Sequence, residues 1–134
     1  MGAGMLFVIL AAMFFCHICD DYYLQGILAN MKQKSWWEKN APQSMYNEDY
    51  LIALITHAFS WSFSISIPLL IAAIVRGAKD TGFLTIVGFY FLNTVIHAFI
   101  DNLKANKRAI NLIADQSVHG LQVFTTWLVV TMMI

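Results

Sequence analysis

The sequence predicts an all-α integral membrane bundle of four transmembrane helices, and three observations predict it. Of 134 residues, 59% are hydrophobic and only 12% charged, with a mean hydropathy of +0.63. That leaves too little polar surface to cover a soluble globule, so the bilayer is the natural solvent. Four apolar stretches, about 5–28, 50–75, 83–103 and 111–134, each reach the ~20 residues a helix needs to cross ~30 Å of hydrocarbon. The ionisable residues inside these stretches recur at helical spacing: His17 and Asp21, His97 and Asp101, and Asp115 and His119 are each four apart.

Taken in order, the first stretch lacks the basic region that opens a signal peptide. It continues past its apolar part into His17 and Asp21, so it reads as a retained spanning helix. Its Cys16 and Cys19 are too few and too close for a disulfide framework. A Cys-x-x-Cys pair beside a histidine is a metal or redox pattern, but free cysteine also packs as a small hydrophobe, and packing is the expectation here. Residues 32–49 form a polar loop. Trp36 and Trp37 among lysines fit a segment lying at the headgroup level, and Pro42 ends any helix there. The second stretch carries Pro68, a kink that membrane helices tolerate. Its Ser60, Ser62, Ser64 and Ser66 read as packing groups, because no catalytic-serine motif surrounds them. A short turn through Gly77, Lys79, Asp80 and Gly82 leads to the third stretch, and a basic connection, Lys104 to Arg108, leads to the fourth. The whole is one domain.

Lys and Arg beside the spans predict orientation. The first and third loops hold six basic residues (Lys32, Lys34, Lys39, Lys104, Lys107 and Arg108), whereas the second loop and both termini hold two, Arg76 and Lys79. Loops one and three are therefore expected in the cytoplasm and both termini outside. A formal net charge of zero gives no basic field for nucleic acid. Membrane lipids are the expected surroundings, and Gly82, Gly88 and Gly120 would allow the close helix contact of a homodimer.

With this topology all four helices deliver their ionisable groups to the cytoplasmic half of the membrane. Residues four apart share a helix face. One stripe reads His17, Asp21, Gln25; another Asn93, His97, Asp101, with Lys104 close by; a third Asn111, Asp115, His119. The second helix contributes His57, with Ser60 and Ser64 on its face. A charge inside a bilayer costs roughly 2.5–3.5 kcal/mol on insertion scales, so seven such groups gathered at one depth are expected to act together.

Imidazole and carboxylate suit zinc, iron or manganese, and helical bundles build metal sites from inward-facing side chains of this kind. The expected ligands are His97, Asp101, His119 and Asp115, with His17, Asp21 and His57 beside them. These exceed the ligand set of one tetrahedral zinc, so either two metals bind or a carboxylate shell orients the histidines around one. Asp20 points about 100° from Asp21 on an ideal helix and is expected to support a ligand or face a neighbouring helix.

The segments His17-Ile18-Cys19-Asp20-Asp21-Tyr22-Tyr23-Leu24-Gln25, His97-Ala98-Phe99-Ile100-Asp101-Asn102-Leu103-Lys104 and Asp115-Gln116-Ser117-Val118-His119 together resemble a family of small bacterial and phage membrane proteins of unknown function. That family shows His-x-x-x-Asp-aromatic-x-Leu-Gln, a mid-chain histidine, His-x-x-x-Asp-x-x-Lys and Asp-Gln-x-x-His in this order. The resemblance implies a multi-helix protein of the bacterial inner membrane. It places Asp21 rather than Asp20 in the first motif and adds Gln25, Lys104 and Gln116 to the site. It implies no reaction, and the Trp36–Trp37 loop departs from the family's pattern.

The function expected from these residues is metal-dependent hydrolysis within the membrane. A divalent metal, zinc first and manganese or iron next, would activate water. Asp21, Asp101 or Asp115 would act as general base, and Lys104 would hold an anionic group. A lipid or isoprenoid phosphate of the inner leaflet is the expected substrate, with a peptide as the alternative. Two other classes stand beside this reading. A proton or divalent-metal transporter would use the same residues as a relay but needs polar groups reaching the outer side, where few occur. A non-catalytic membrane module, such as a phage-encoded inhibitor of a host membrane protein, would need no metal.

Overall fold

The computed structural model describes all 134 residues and contains helices and turns only. Helix α1 (Ala3–Ile18) runs into a π-helical turn (Cys19–Leu24). Two short helices follow, α2 (Leu28–Met31) and α3 (Lys34–Asn40), then a 3-10 turn (Ser44–Tyr46). The chain ends in three long helices, α4 (Asp49–Arg76), α5 (Asp80–Ala105) and α6 (Leu112–Met133). The long helices pack as a ring in the order α1, α4, α5, α6, with α6 closing back on α1. Short turns join α4 to α5 and α5 to α6, so neighbours run antiparallel. Trp127 Nε1 donates to Leu6 O at 3.0 Å and ties the end of α6 to the start of α1.

Local chemistry explains the ends. Gly77 takes a left-handed φ of 63° after α4. Ala78 N donates to Ala73 O at 2.9 Å and Gly77 N to Ile74 O at 3.1 Å, the pair of bonds that a glycine after the last helical residue makes possible. Asn111 starts α6 by accepting from Ala114 N at 2.9 Å, which satisfies one orphan N–H of the first turn. Trp36 and Trp37 meet edge to face at 5.0 Å in α3, and Trp37 Nε1 donates to Met31 O at 2.6 Å.

The interior is inverted relative to a soluble protein. Of 28 buried residues, 15 are polar or charged. The outer face, in contrast, shows Phe7, Phe15, Phe63, Leu84, Val95, Phe99 and Met132 to the surroundings. Such a shell belongs in hydrocarbon. Three helical stretches, Ala3–Leu24, Ser44–Arg76 and Asp80–Ala105, are long and apolar enough to cross a membrane. The fourth expected span, α6, has 22 residues, a length of ~33 Å at 1.5 Å per residue. It falls short in apolarity, because Gln116, His119, Gln122, Thr126 and Thr131 lie within it.

Along its axis the bundle divides in two. Ile9, Met13, Trp61, Ile65, Leu69, Ala73, Ile86, Val123 and Val130 form one apolar core. The buried ionisable groups gather at the other end, where α1 finishes, α4 begins, α5 finishes and α6 begins. Of the three glycines expected at a dimer contact, Gly82 is used inside the bundle. A Cβ there would lie 3.0 Å from Ile134 Cγ2 and 3.1 Å from Met133 O. Gly88 faces open space, and a Cβ on Gly120 would meet only Phe14, at 3.8 Å.

Gly82→Leu is expected to destabilise the bundle by about 1–3 kcal/mol through overpacking, read as a lower midpoint of thermal unfolding in detergent. Gly88→Leu serves as the neutral control. Equal midpoints for the two variants would contradict the α5–α6 contact.

Candidate metal centre

Six of the seven predicted ligands converge in one buried cluster. His57 Nε2 lies 3.2 Å from Asp21 Oδ1 and 3.6 Å from Asp101 Oδ2. It also lies 3.2 Å from His97 Nε2, which is 3.9 Å from Asp101 Oδ2. Donors bound to one tetrahedral ion at 2.0–2.1 Å stand about 3.3 Å apart. His57 Nε2 of α4 stands at nearly that spacing from Asp21 Oδ1 of the π-helical turn and from His97 Nε2 and Asp101 Oδ2 of α5. On the other side of Asp101, His119 Nε2 lies 3.4 Å from Asp101 Oδ1 and 3.4 Å from Asp115 Oδ1. The groups Asp21, His57, His97 and His97, Asp101, His119 are each close enough to share a metal ion. The buried His/Asp cluster could therefore hold one.

The seventh, His17, lies outside both groups. Trp61 Nε1 donates to His17 Nδ1 at 2.9 Å, and an indole N–H can only donate, so that imidazole nitrogen is occupied. His17 packs beside His119 with ring centroids 6.1 Å apart. Trp61 also stacks on His97 at 4.2 Å, and His97 on His119 at 3.9 Å. This pile of three rings, one each from α4, α5 and α6, holds the two histidines in place.

The π-helical turn explains Asp20. On a regular helix Asp20 and Asp21 diverge by about 100°, yet both are buried here, because the wider turn brings successive side chains closer together. Asp20 Oδ2 accepts from Ser60 Oγ at 3.0 Å and from Ser64 Oγ at 2.6 Å. The serines expected to be packing groups thus satisfy a buried carboxylate, and Ser66 caps its own helix carbonyl at Ser62. Asp20 Oδ1 stands 3.9 Å from His57 Nδ1, on the side of that ring facing away from Asp21. Gln25 Nε2 donates to the Asp21 carbonyl and steadies the turn.

Lysines compensate two of the carboxylates. Lys104 Nζ sits 2.5 Å from Asp115 Oδ2. Lys32, counted among the basic residues of the first loop, is only 8% exposed, and its Nζ lies 2.6 Å from Asp101 Oδ2. A clamp brings it there. Asn106, at the end of α5, donates to Lys32 O at 3.0 Å and accepts from Lys34 N at 2.7 Å. Gln116 Nε2 bridges Asp21 Oδ2 at 2.7 Å and Asp115 Oδ2 at 3.1 Å.

His119 is oriented by a chain of amides. Its Nδ1 lies 3.2 Å from Gln122 Oε1. Gln122 Nε2 donates to the backbone carbonyl of Asn93 at 3.1 Å, which fixes which end of the amide faces the imidazole. An amide oxygen only accepts, so Nδ1 carries a proton, and Nε2 is the nitrogen that faces the Asp101 and Asp115 carboxylates. Asn93 Nδ2 donates to Thr126 Oγ1 at 2.8 Å, and Thr126 donates to Gln122 O at 2.7 Å. Gln122 and Thr126 continue the Asp115–His119 stripe by three and seven residues, the signal in the sequence that would have found them. Lys32 and Asn106 carry no such signal. Cys16 and Cys19 are free and only partly buried, and neither joins a ligand group.

No family model, no curated protein and no solved structure matches this chain. The resemblance drawn from its three motifs stands on those motifs alone, and the case for function rests on the site.

Two outcomes are expected. Gln122→Leu removes the acceptor that orients His119 and should weaken metal binding about 10–100-fold in a chelator competition titration, with helicity retained. Asn106→Ala should speed amide hydrogen exchange over residues 32–40 and leave α4 protected; unchanged exchange would contradict the clamp.

Proposed function

We propose that this protein is a metal-dependent hydrolase of the bacterial inner membrane, acting on a lipid or isoprenoid phosphate. In this reading α6 is the fourth spanning helix, its polar residues turned inward, and the site lies in the cytoplasmic half with both termini outside. The observation that carries the proposal is the convergence of Asp21 Oδ1, His97 Nε2 and Asp101 Oδ2 on His57 Nε2 at 3.2–3.6 Å, close to the donor spacing around one tetrahedral ion.

Charge supports it. Asp20, Asp21, Asp101 and Asp115 are buried, and Lys32 and Lys104 are the two ammonium groups paired with this cluster. With neutral histidines, two negative charges remain in an apolar bundle, which one divalent cation neutralises. Zinc, with manganese or iron next, suits the nitrogen and oxygen donors. A bound metal supplies water activated near neutral pH and polarises a phosphoryl oxygen.

The protein's own residues do the remainder. Asp21, His57, His97 and Asp101 would hold the ion, Gln116 holds Asp21 through its amide, and Asp20 stands behind His57 at 3.9 Å. The Lys104 side chain is 32% exposed, against 9% for Lys32. Lys104 can therefore exchange Asp115 for an incoming phosphate, which frees Asp115 to accept a proton from the attacking water. Water oxygen bonds to phosphorus, the bond from phosphorus to the lipid oxygen breaks, and that oxygen takes up a proton. Access is lateral: a groove of about 490 Å³ between α1 and α6 is lined by Phe14, His17, Ile18, Tyr22, Tyr23, Gln116 and Gly120. Its apolar walls suit a hydrocarbon chain, and its polar residues touch the ligand cluster through Gln116. The apolar core across the other half of the bundle favours this one-sided reading over proton or metal transport. A non-catalytic membrane module would need no such donor spacing.

Elemental analysis of detergent-purified protein, joined to phosphate release from isoprenoid and lipid phosphates, tests the proposal. Bound metal with turnover is expected in the wild type, and both should be lost in His97→Ala. A folded, metal-repleted wild type that holds no metal, or one whose metal survives His97→Ala, contradicts it.

A further inference from the structure

We infer that the cluster holds a second divalent cation, seated between Asp101 Oδ1, Asp115 Oδ1 and His119 Nε2, with Asp101 bridging the two ions through its two oxygens. The inference deepens the metal-centre reading above and rests on it. It starts from three atoms that the first position leaves out. Asp101 Oδ1, Asp115 Oδ1 and His119 Nε2 are all buried without a hydrogen-bond partner, in side chains that are 0–2% exposed. His119 Nε2 stands 3.4 Å from each oxygen.

The surroundings orient all three. The Gln122 amide holds a proton on His119 Nδ1, so Nε2 is the ring nitrogen aimed at the two oxygens. Lys104 and Gln116 occupy Asp115 Oδ2, and Lys32 occupies Asp101 Oδ2. Each carboxylate is thereby turned so that its free oxygen faces the imidazole. None of the three atoms has a hydrogen-bond partner, and a buried polar group without one costs about 1–3 kcal/mol. A proton on Nε2 could bond one oxygen at a time, whereas a divalent cation satisfies all three. The 3.4 Å from His119 Nε2 to each oxygen is again a separation found between donors around one small ion.

Asp101 then joins the positions: its Oδ2 faces His57 and His97, and its Oδ1 faces His119. Paired ions about 3.5–4 Å apart clamp the attacking and leaving oxygens of a phosphoryl group. Charge points to the same substrate class. One divalent ion neutralises the cluster, so a second leaves it positive, and the second ion enters together with an anion such as phosphate.

The test loads full-length protein in detergent with Mn²⁺, and separately Zn²⁺, in the presence of inorganic phosphate. Two equivalents are expected in the wild type, and one in each of His119→Ala, Asp115→Asn and His57→Ala. Electron paramagnetic resonance of the Mn²⁺-loaded wild type should show an exchange-coupled pair, replaced by an isolated ion in the variants. A wild type with one equivalent, an uncoupled spectrum and no loss in His119→Ala would overturn the second position while leaving the first intact. No bound metal would overturn both. The wild-type spectrum decides even where a variant does not fold.

Discussion

Everything at the polar end of this bundle follows from four carboxylates that have no access to bulk water. In hydrocarbon surroundings a charged group costs several kcal/mol unless a partner or a bound ion compensates it. Asp20, Asp21, Asp101 and Asp115 are each 6% exposed or less. Their compensation comes from α4, α5 and α6 and from the connection between α1 and α4. Serines of α4 serve Asp20, Gln116 of α6 serves Asp21, Lys104 of α5 serves Asp115, and Lys32 from beyond α2 serves Asp101. No single helix carries both members of all these pairs, so the polar end can be satisfied only when the bundle is assembled.

That constraint divides the molecule. The apolar half, from Ile9 to Val130, packs by shape and places no demand on register beyond close fit. The polar half demands a specific arrangement, because a shift of one residue along any helix would strand a carboxylate. Two backbone features meet that demand. The π-helical turn at Cys19–Leu24 turns two adjacent aspartates inward. The Asn106 clamp holds the backbone on both sides of Gln33, so Lys32 can reach 2.6 Å from Asp101. Local geometry thus sets the ligand positions, and the ligand positions set what the site can bind. The lateral groove beside Gln116 sets what can approach it.

Much of this is readable in the sequence because membrane helices obey simple rules. Apolar length located α1, α4 and α5, and the four-residue spacing placed His97 with Asp101 and Asp115 with His119 on shared faces. The common depth of the ionisable residues anticipated their convergence. Helix α6 was legible as a helix of spanning length, but its inward polar face lowers the apolarity by which a span is recognised. What escaped were features that depend on departures from regular helix or on chain topology. Asp20 was expected to support a ligand or face a neighbouring helix, as it faces α4, but its burial together with Asp21 required the π-helical turn. Lys32 required the fold of α2 and α3, since no spacing rule links it to Asp101, 69 residues on. His17 matched the pattern of its neighbours, yet its Nδ1 is engaged by Trp61, which the stripes ignored.

The central claim is that the buried histidines and aspartates form a cation site. X-ray absorption at the zinc edge of metal-loaded, detergent-purified protein tests it most directly. The account predicts nitrogen and oxygen scatterers alone, at about 2.0–2.1 Å, with the outer-shell signature of imidazole. A sulfur shell at about 2.3 Å would instead place the ion on Cys16 and Cys19. A spectrum without imidazole would contradict the account as firmly.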